Sequence, residues 1–150
     1  MLAVGLAAAL EHAVANMAAN TDRVLSLRAA FLRKLDVVYV VNGVPVPLTP
    51  NPSPAGGEGN QSLPHILNVS FPGCRSEVLL MALDLAGVAC STGSACSSGS
   101  LLPSPVLEAM GVPPEVLASA MRFSFAPTPT AEEVEAAGKR VAEAVRRVRG

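Results

Sequence analysis

The sequence predicts an α+β fold, a small sheet with helices packed on it, and three observations carry that expectation. Short β-branched or alternating runs at 37–41, 65–71 and 121–125 read as strands. Longer stretches with one-sided apolar spacing lie before, between and after them. The resulting order is helix, helix, strand, strand, helix, strand, helix, strand, helix, which suits a layered fold with helices covering one sheet. A chain of 150 residues, 50% of them hydrophobic, can bury one core, so 1–150 is expected to form a single domain. With no Trp, one Tyr and four Phe, that core is expected to be aliphatic.

Residues 1–34 read as helix, broken near Asn20-Thr21-Asp22, where Thr21 or Asp22 would cap the second piece. The opening ten residues are apolar, like the middle of a signal peptide. No Lys or Arg precedes Arg23, however, and Glu11 and His12 stop the run well short of a membrane span. An alanine-rich packed helix is the expectation. Leu25, Leu27, Ala29, Ala30, Leu32 and Leu35 give the next piece an apolar side. "VVYVV" at 37–41 follows as a strand and Asn42-Gly43 turns the chain. Residues 44–62, rich in Pro, Gly and Ser, read as a flexible loop or insertion.

"HILNVSF" at 65–71 is the next strand and Pro72-Gly73 ends it. Residues 75–87 form an amphipathic helix, with Ser76 as a cap and Gly87 as its stop. "VAC" at 88–90 reads as a short strand. A helix starts at Pro103 and closes at Gly111, "PPEVLASA" adds a turn or two, and "MRFSF" at 121–125 is the last strand. Thr130, with Glu133 three residues on, opens a long final helix through a capping box.

A net charge of −1 gives no electrostatic reason to expect nucleic acid or an anionic membrane as partner. Arg140, Arg146, Arg147 and Arg149 fit the last turns of the final helix, where positive charge suits the dipole. Three cysteines, with no C-x-x-C and two distant histidines, favour neither a disulfide framework nor a zinc site, so no metal is expected. Reduced thiols in a cytoplasmic protein are the default.

Two residues stand out as candidates. Cys96 sits in "STGSACSSGS", 91–100, among small residues that bury little surface and leave a thiol accessible. That suits a travelling nucleophile, and it equally suits a surface turn. Cys90 reads as a small buried residue, and Cys74 has no visible partner. Arg122, between Met121 and Phe123, is either a structural strand residue or a bidentate carboxylate binder. Together Cys96 and Arg122 suggest an amino-acid substrate.

These segments resemble the C-terminal part of a cysteine desulfurase, of the class V aminotransferase-like, fold-type I pyridoxal-phosphate family. "LPHILNVSFPG" at 63–73 resembles the family's entry into its small domain. The stretch 76–112, "SEVLLMALDLAGVACSTGSACSSGSLLPSPVLEAMGV", resembles its helix, thiol loop and following helix, and "MRFSF" its R-F-S segment. The match is close over 63–149 and looser over 1–43. The resemblance implies a mostly antiparallel sheet, pyridoxal phosphate as cofactor and L-cysteine as substrate. It also implies that Cys96 forms the persulfide, that Arg122 holds the substrate carboxylate, and that alanine is the product. The sulfur would pass to an iron–sulfur scaffold or another acceptor. The flexible loop around Cys96 then favours the reactive reading.

The departures from the family pattern matter as much. Its Schiff-base lysine lies in a Ser-x-His-Lys context, whereas this chain has only Lys34 and Lys139, neither in such a setting. The groups of the cofactor-binding large domain are missing from the sequence. Ala126 and Pro127 stand where Gly and Arg are usual, Thr92 replaces a Ser, and Pro105 replaces an aromatic residue or His. Three readings stay open: a desulfurase small domain needing a large-domain chain, a non-catalytic sulfur carrier, and an inactive fragment. Without a large domain, apolar surface on the N-terminal helices should be exposed.

Overall fold

In a computed structural model, residues 2–43, 63–92 and 104–150 are described. The expected insertion at 44–62 and the loop carrying Cys96 lie outside them. The architecture is α+β, a three-stranded antiparallel sheet with helices on one face.

Helices α1 (Leu2–Ala15) and α2 (Met17–Arg33) are almost one rod, interrupted at Asn16. The Asn16 side-chain amide donates to the His12 carbonyl at 2.8 Å, competing with its own backbone N–H for that acceptor. The break therefore falls earlier than expected, and Thr21 and Asp22 lie inside α2 rather than capping it. The packed-helix expectation for the N-terminus is overturned. Residues 3–15 are all exposed, including Val4, Leu6, Leu10 and Val14. Alanine presents little surface to bury, and among the described residues no core element lies over this stretch. The exposed apolar surface expected on the N-terminal helices is thus present on α1.

Along α2 the buried stripe is Val24, Leu27, Ala30 and Phe31, continued by Leu35, while Leu25 faces out. It packs on α6 (Ala131–Arg149), whose buried residues include Val134, Gly138, Val141, Ala142, Ala144 and Val145. The helices touch at Gly138, where an added Cβ would come within 2.8 Å of the Phe31 carbonyl oxygen and 2.9 Å of Lys34 Cβ. Glycine is needed there for space.

Strand β1 (Val40–Val41) is shorter than the 37–41 run. It pairs with β2 (Ile66–Ser70), which pairs with β3 (Ala120–Ser124). Residues 88–90 form no strand; only Ser91 reaches the sheet, in an antiparallel bridge to Arg122. Helix α3 (Ser76–Leu85) buries Leu79 and Leu83. Ser76 is its first residue rather than its cap: Arg75 occupies that position, with no side-chain capping hydrogen bond. Gly87, at φ +71°, closes α3 as expected. Its N–H meets the Asp84 carbonyl and the Val88 N–H meets the Leu83 carbonyl, a paired C-terminal cap.

The short helices α4 (Pro105–Ala109) and α5 (Pro114–Leu117) lead into β3. The capping box at Thr130 and Glu133 forms in both directions, at 3.2 and 2.8 Å. The basic residues near the end of α6 are tethers as well as dipole partners. Arg149 donates to the carbonyls of Pro72 and Val38, at 3.0 and 2.7 Å, and Arg146 pairs with Asp36.

One core unites α2, α3, α6 and the inner face of the sheet. It is less aliphatic than composition suggests. Phe31, Phe71, Phe123 and Tyr39 are all buried, and Phe31 lies 5.0 Å from Phe123 and 5.6 Å from Phe125, ring centre to ring centre.

Candidate functional site

Alternation along β2 and β3 sends their side chains to two faces. Leu67, Val69, Met121 and Phe123 face the helices and are buried. Asn68 and Arg122 face the other way and are half-buried. The register sets them directly opposite each other, with Asn42 opposite Asn68 on the far side. Ser91 bridges Arg122 from the other edge.

The backbone hydrogen bonds define the kind of pair that Asn68 and Arg122 form. Arg122 donates to Ser91 at 2.7 Å and accepts from it at 3.1 Å, so its main-chain groups point away from β2. The Asn68 carbonyl accepts from Asn42 at 2.9 Å, so its main chain points away from β3. Asn68 and Arg122 are therefore a non-hydrogen-bonded pair, the kind that brings facing side chains nearest. The Asn42 amide nitrogen donates to Asn68 Oδ1 at 2.7 Å and to Ser70 Oγ at 2.8 Å. These bonds satisfy Ser70, which is polar and wholly buried. Among the described residues nothing pairs with the Arg122 guanidinium. A half-buried guanidinium with no partner among the described residues, on a strand position paired with an anchored asparagine, can receive a carboxylate.

Sequence reasoning singled out Arg122 and missed Asn68, its cross-strand partner, and Asn42, which binds Asn68. The signal for Asn68 was there, since it shares the outward phase of the 65–71 alternation. Asn42 had read only as a turn residue. Cys96 lies outside the described residues; its nearest described neighbour in the chain is Thr92, beside Ser91. The other two thiols are poor nucleophiles. Cys74 is buried, with Sγ 3.9 Å from the Val145 carbonyl, so it has a partner after all. Burial pushes its thiol up, against the opposing pull of Arg149. Cys90 is half-buried; burial first, and Asp84 second, push its thiol up to about 11.

Neither lysine reaches this face of the sheet. Lys34 ends α2 and binds Glu135 at 3.0 Å, and Lys139 lies on α6, so both belong to the helical layer on the opposite side. Among the described residues, no lysine therefore stands on the Arg122 face to form an imine with an aldehyde. Among them, too, no group of three or more His, Cys, Asp or Glu is arranged to hold a metal. No helix among them is long and apolar enough to cross a membrane.

The family model for aminotransferase class-V matches residues 1–137. The chain belongs to the aminotransferase class-V family. Its class-V relatives include the putative cysteine desulfurase IscS 1 of Bacillus subtilis, 41% identical over 97% of this chain and 36% of that protein. The cysteine desulfurase IscS of Pseudomonas aeruginosa is 38% identical over 97% of this chain and 33% of its own length. A solved structure titled NifS-like protein superposes with a TM-score of 0.69 at 28% identity, covering 93% of this chain and 32% of that one. This class-V chain thus spans about a third of the length of the relatives it matches.

Proposed function

We propose that residues 1–150 act as one domain, the sulfur-accepting and substrate-gripping part of a cysteine desulfurase. Identity of 41% to a putative cysteine desulfurase, sustained over nearly the whole chain, is the observation that carries this reading. Arg122 binds the carboxylate of L-cysteine, and Cys96 takes its sulfur. In the exchange, the carbon–sulfur bond of the substrate breaks and a sulfur–sulfur bond forms on Cys96. The electron pair of the broken bond stays with carbon, which takes up a proton and leaves as alanine. Carbon is reduced and the thiol sulfur is oxidised, so no outside oxidant is needed.

Cys96 lies five positions after Ser91 in the chain. That length keeps the Cys96 backbone within roughly 17 Å of Ser91, which bridges Arg122. Pyridoxal phosphate, the family's cofactor, needs a lysine on the Arg122 face, and this sequence does not supply one there. The lysine comes from a large-domain segment outside these residues. The persulfide then passes to an acceptor protein, such as an iron–sulfur scaffold, in a cytoplasmic setting that keeps thiols reduced.

The test is intact-mass analysis after incubation with L-cysteine, pyridoxal phosphate and the cofactor-bearing segment of a desulfurase. One added sulfur on the wild type, absent from Cys96→Ala and retained by Cys74→Ala and Cys90→Ala, is the expected result. Persulfide surviving on Cys96→Ala overturns the assignment. Sulfur gained without alanine release from this chain's own complex, but delivered by a complete desulfurase, selects the carrier reading instead.

A further inference from the structure

We propose that Asn68 is a second ligand for the substrate carboxylate, held in its donating orientation by Asn42. The inference rests on the reading of Arg122 as the carboxylate-binding residue and extends it to a two-residue site. It starts from the amide groups. Asn42 donates to Asn68 Oδ1 at 2.7 Å and to Ser70 Oγ at 2.8 Å, so the acceptor end of the Asn68 side chain is engaged from the β1 side. The two ends of a primary amide diverge. With its oxygen fixed toward Asn42, the NH2 end of Asn68 is left without a partner among the described residues. Arg122 stands across the non-hydrogen-bonded pair on the β3 side.

An amide NH2 and a guanidinium carry only donors, so they cannot satisfy each other. Two donor groups with no partner among the described residues, on half-buried residues paired across the strands, can be satisfied together by one acceptor with two oxygens. A carboxylate has that shape and charge. Asn68 is then a binding residue, and Asn42 a positioning residue that keeps the Asn68 oxygen from turning toward the anion.

The test is a titration of the whole 150-residue chain, ¹⁵N-labelled, with acetate and with L-alanine, read at the Asn68 side-chain NH2 and the Arg122 Nε–H. The expected result is that both signals move with one shared dissociation constant. Asn68→Asp keeps the shape and the acceptor for Asn42, but places an anion beside the guanidinium. It should reduce carboxylate affinity by at least tenfold, at unchanged thermal midpoint. Asn42→Ala should weaken binding several-fold by freeing the Asn68 amide. If Arg122 responds while the Asn68 NH2 does not, and Asn68→Asp binds like the wild type, the Asn68 inference fails and Arg122 keeps its role. If neither signal moves, the carboxylate reading of Arg122 fails as well.

Discussion

The two faces of the sheet are built from the same strands and differ in burial and polarity. On one face Leu67, Val69, Met121 and Phe123 are sealed under α2, α3 and α6. On the other, Asn42, Asn68 and Arg122 form a polar row that is only half-buried. Moving one residue along β2 or β3 crosses from one to the other. Substitutions one position apart should therefore separate stability from ligand binding, and the predictions follow that division.

The largest effect belongs to the buried face. Leu67→Ala removes a core side chain and should cost about 3 kcal/mol in urea unfolding. A loss below about 1 kcal/mol would mean that the sheet does not seal against the helices as described. Next comes the helix crossing behind that face. Gly138→Ala forces a methyl group against the Phe31 carbonyl and should cost roughly 2 kcal/mol, whereas alanine normally favours a helix. An unchanged or raised midpoint would show that α2 and α6 can move apart freely. Thr130→Ala removes the side-chain half of the capping box and should cost about 1 kcal/mol, with no effect on carboxylate binding.

A pH effect sharpens the same contrast. The Cys90 thiol ionises near 9 when unfolded and near 11 when folded, because burial and Asp84 disfavour the thiolate. Its contribution to stability is full below about 9 and is lost as pH rises through about 11. Unfolding midpoints measured across that range should fall less steeply in Cys90→Ser. An identical slope would place Cys90 in water.

Much of the buried face was legible in the sequence because its signals are local. The alternation of 65–71 and 121–125 marked the strands, and Thr130 with Glu133 marked the start of α6 within a single turn. The polar row was only partly legible. Arg122 stood out by its chemistry, but Asn42 meets Asn68 across 26 residues, through a register set by folding. "VAC" misled because a short apolar run looks the same in a strand as in a connection that merely crosses an edge. The N-terminal helix misled because apolar composition predicts burial only where a partner surface exists. The thiol of Cys96 remains a reading of residue types and family resemblance.

The measurement that bears most directly on the division between the faces is urea unfolding of Arg122→Ala, run beside the wild type with the acetate titration on the same samples. The account predicts an unfolding free energy within about 0.5 kcal/mol of the wild type and no detectable carboxylate binding. A loss of about 2 kcal/mol or more, or acetate binding that persists, would make Arg122 a residue of the fold rather than of the site.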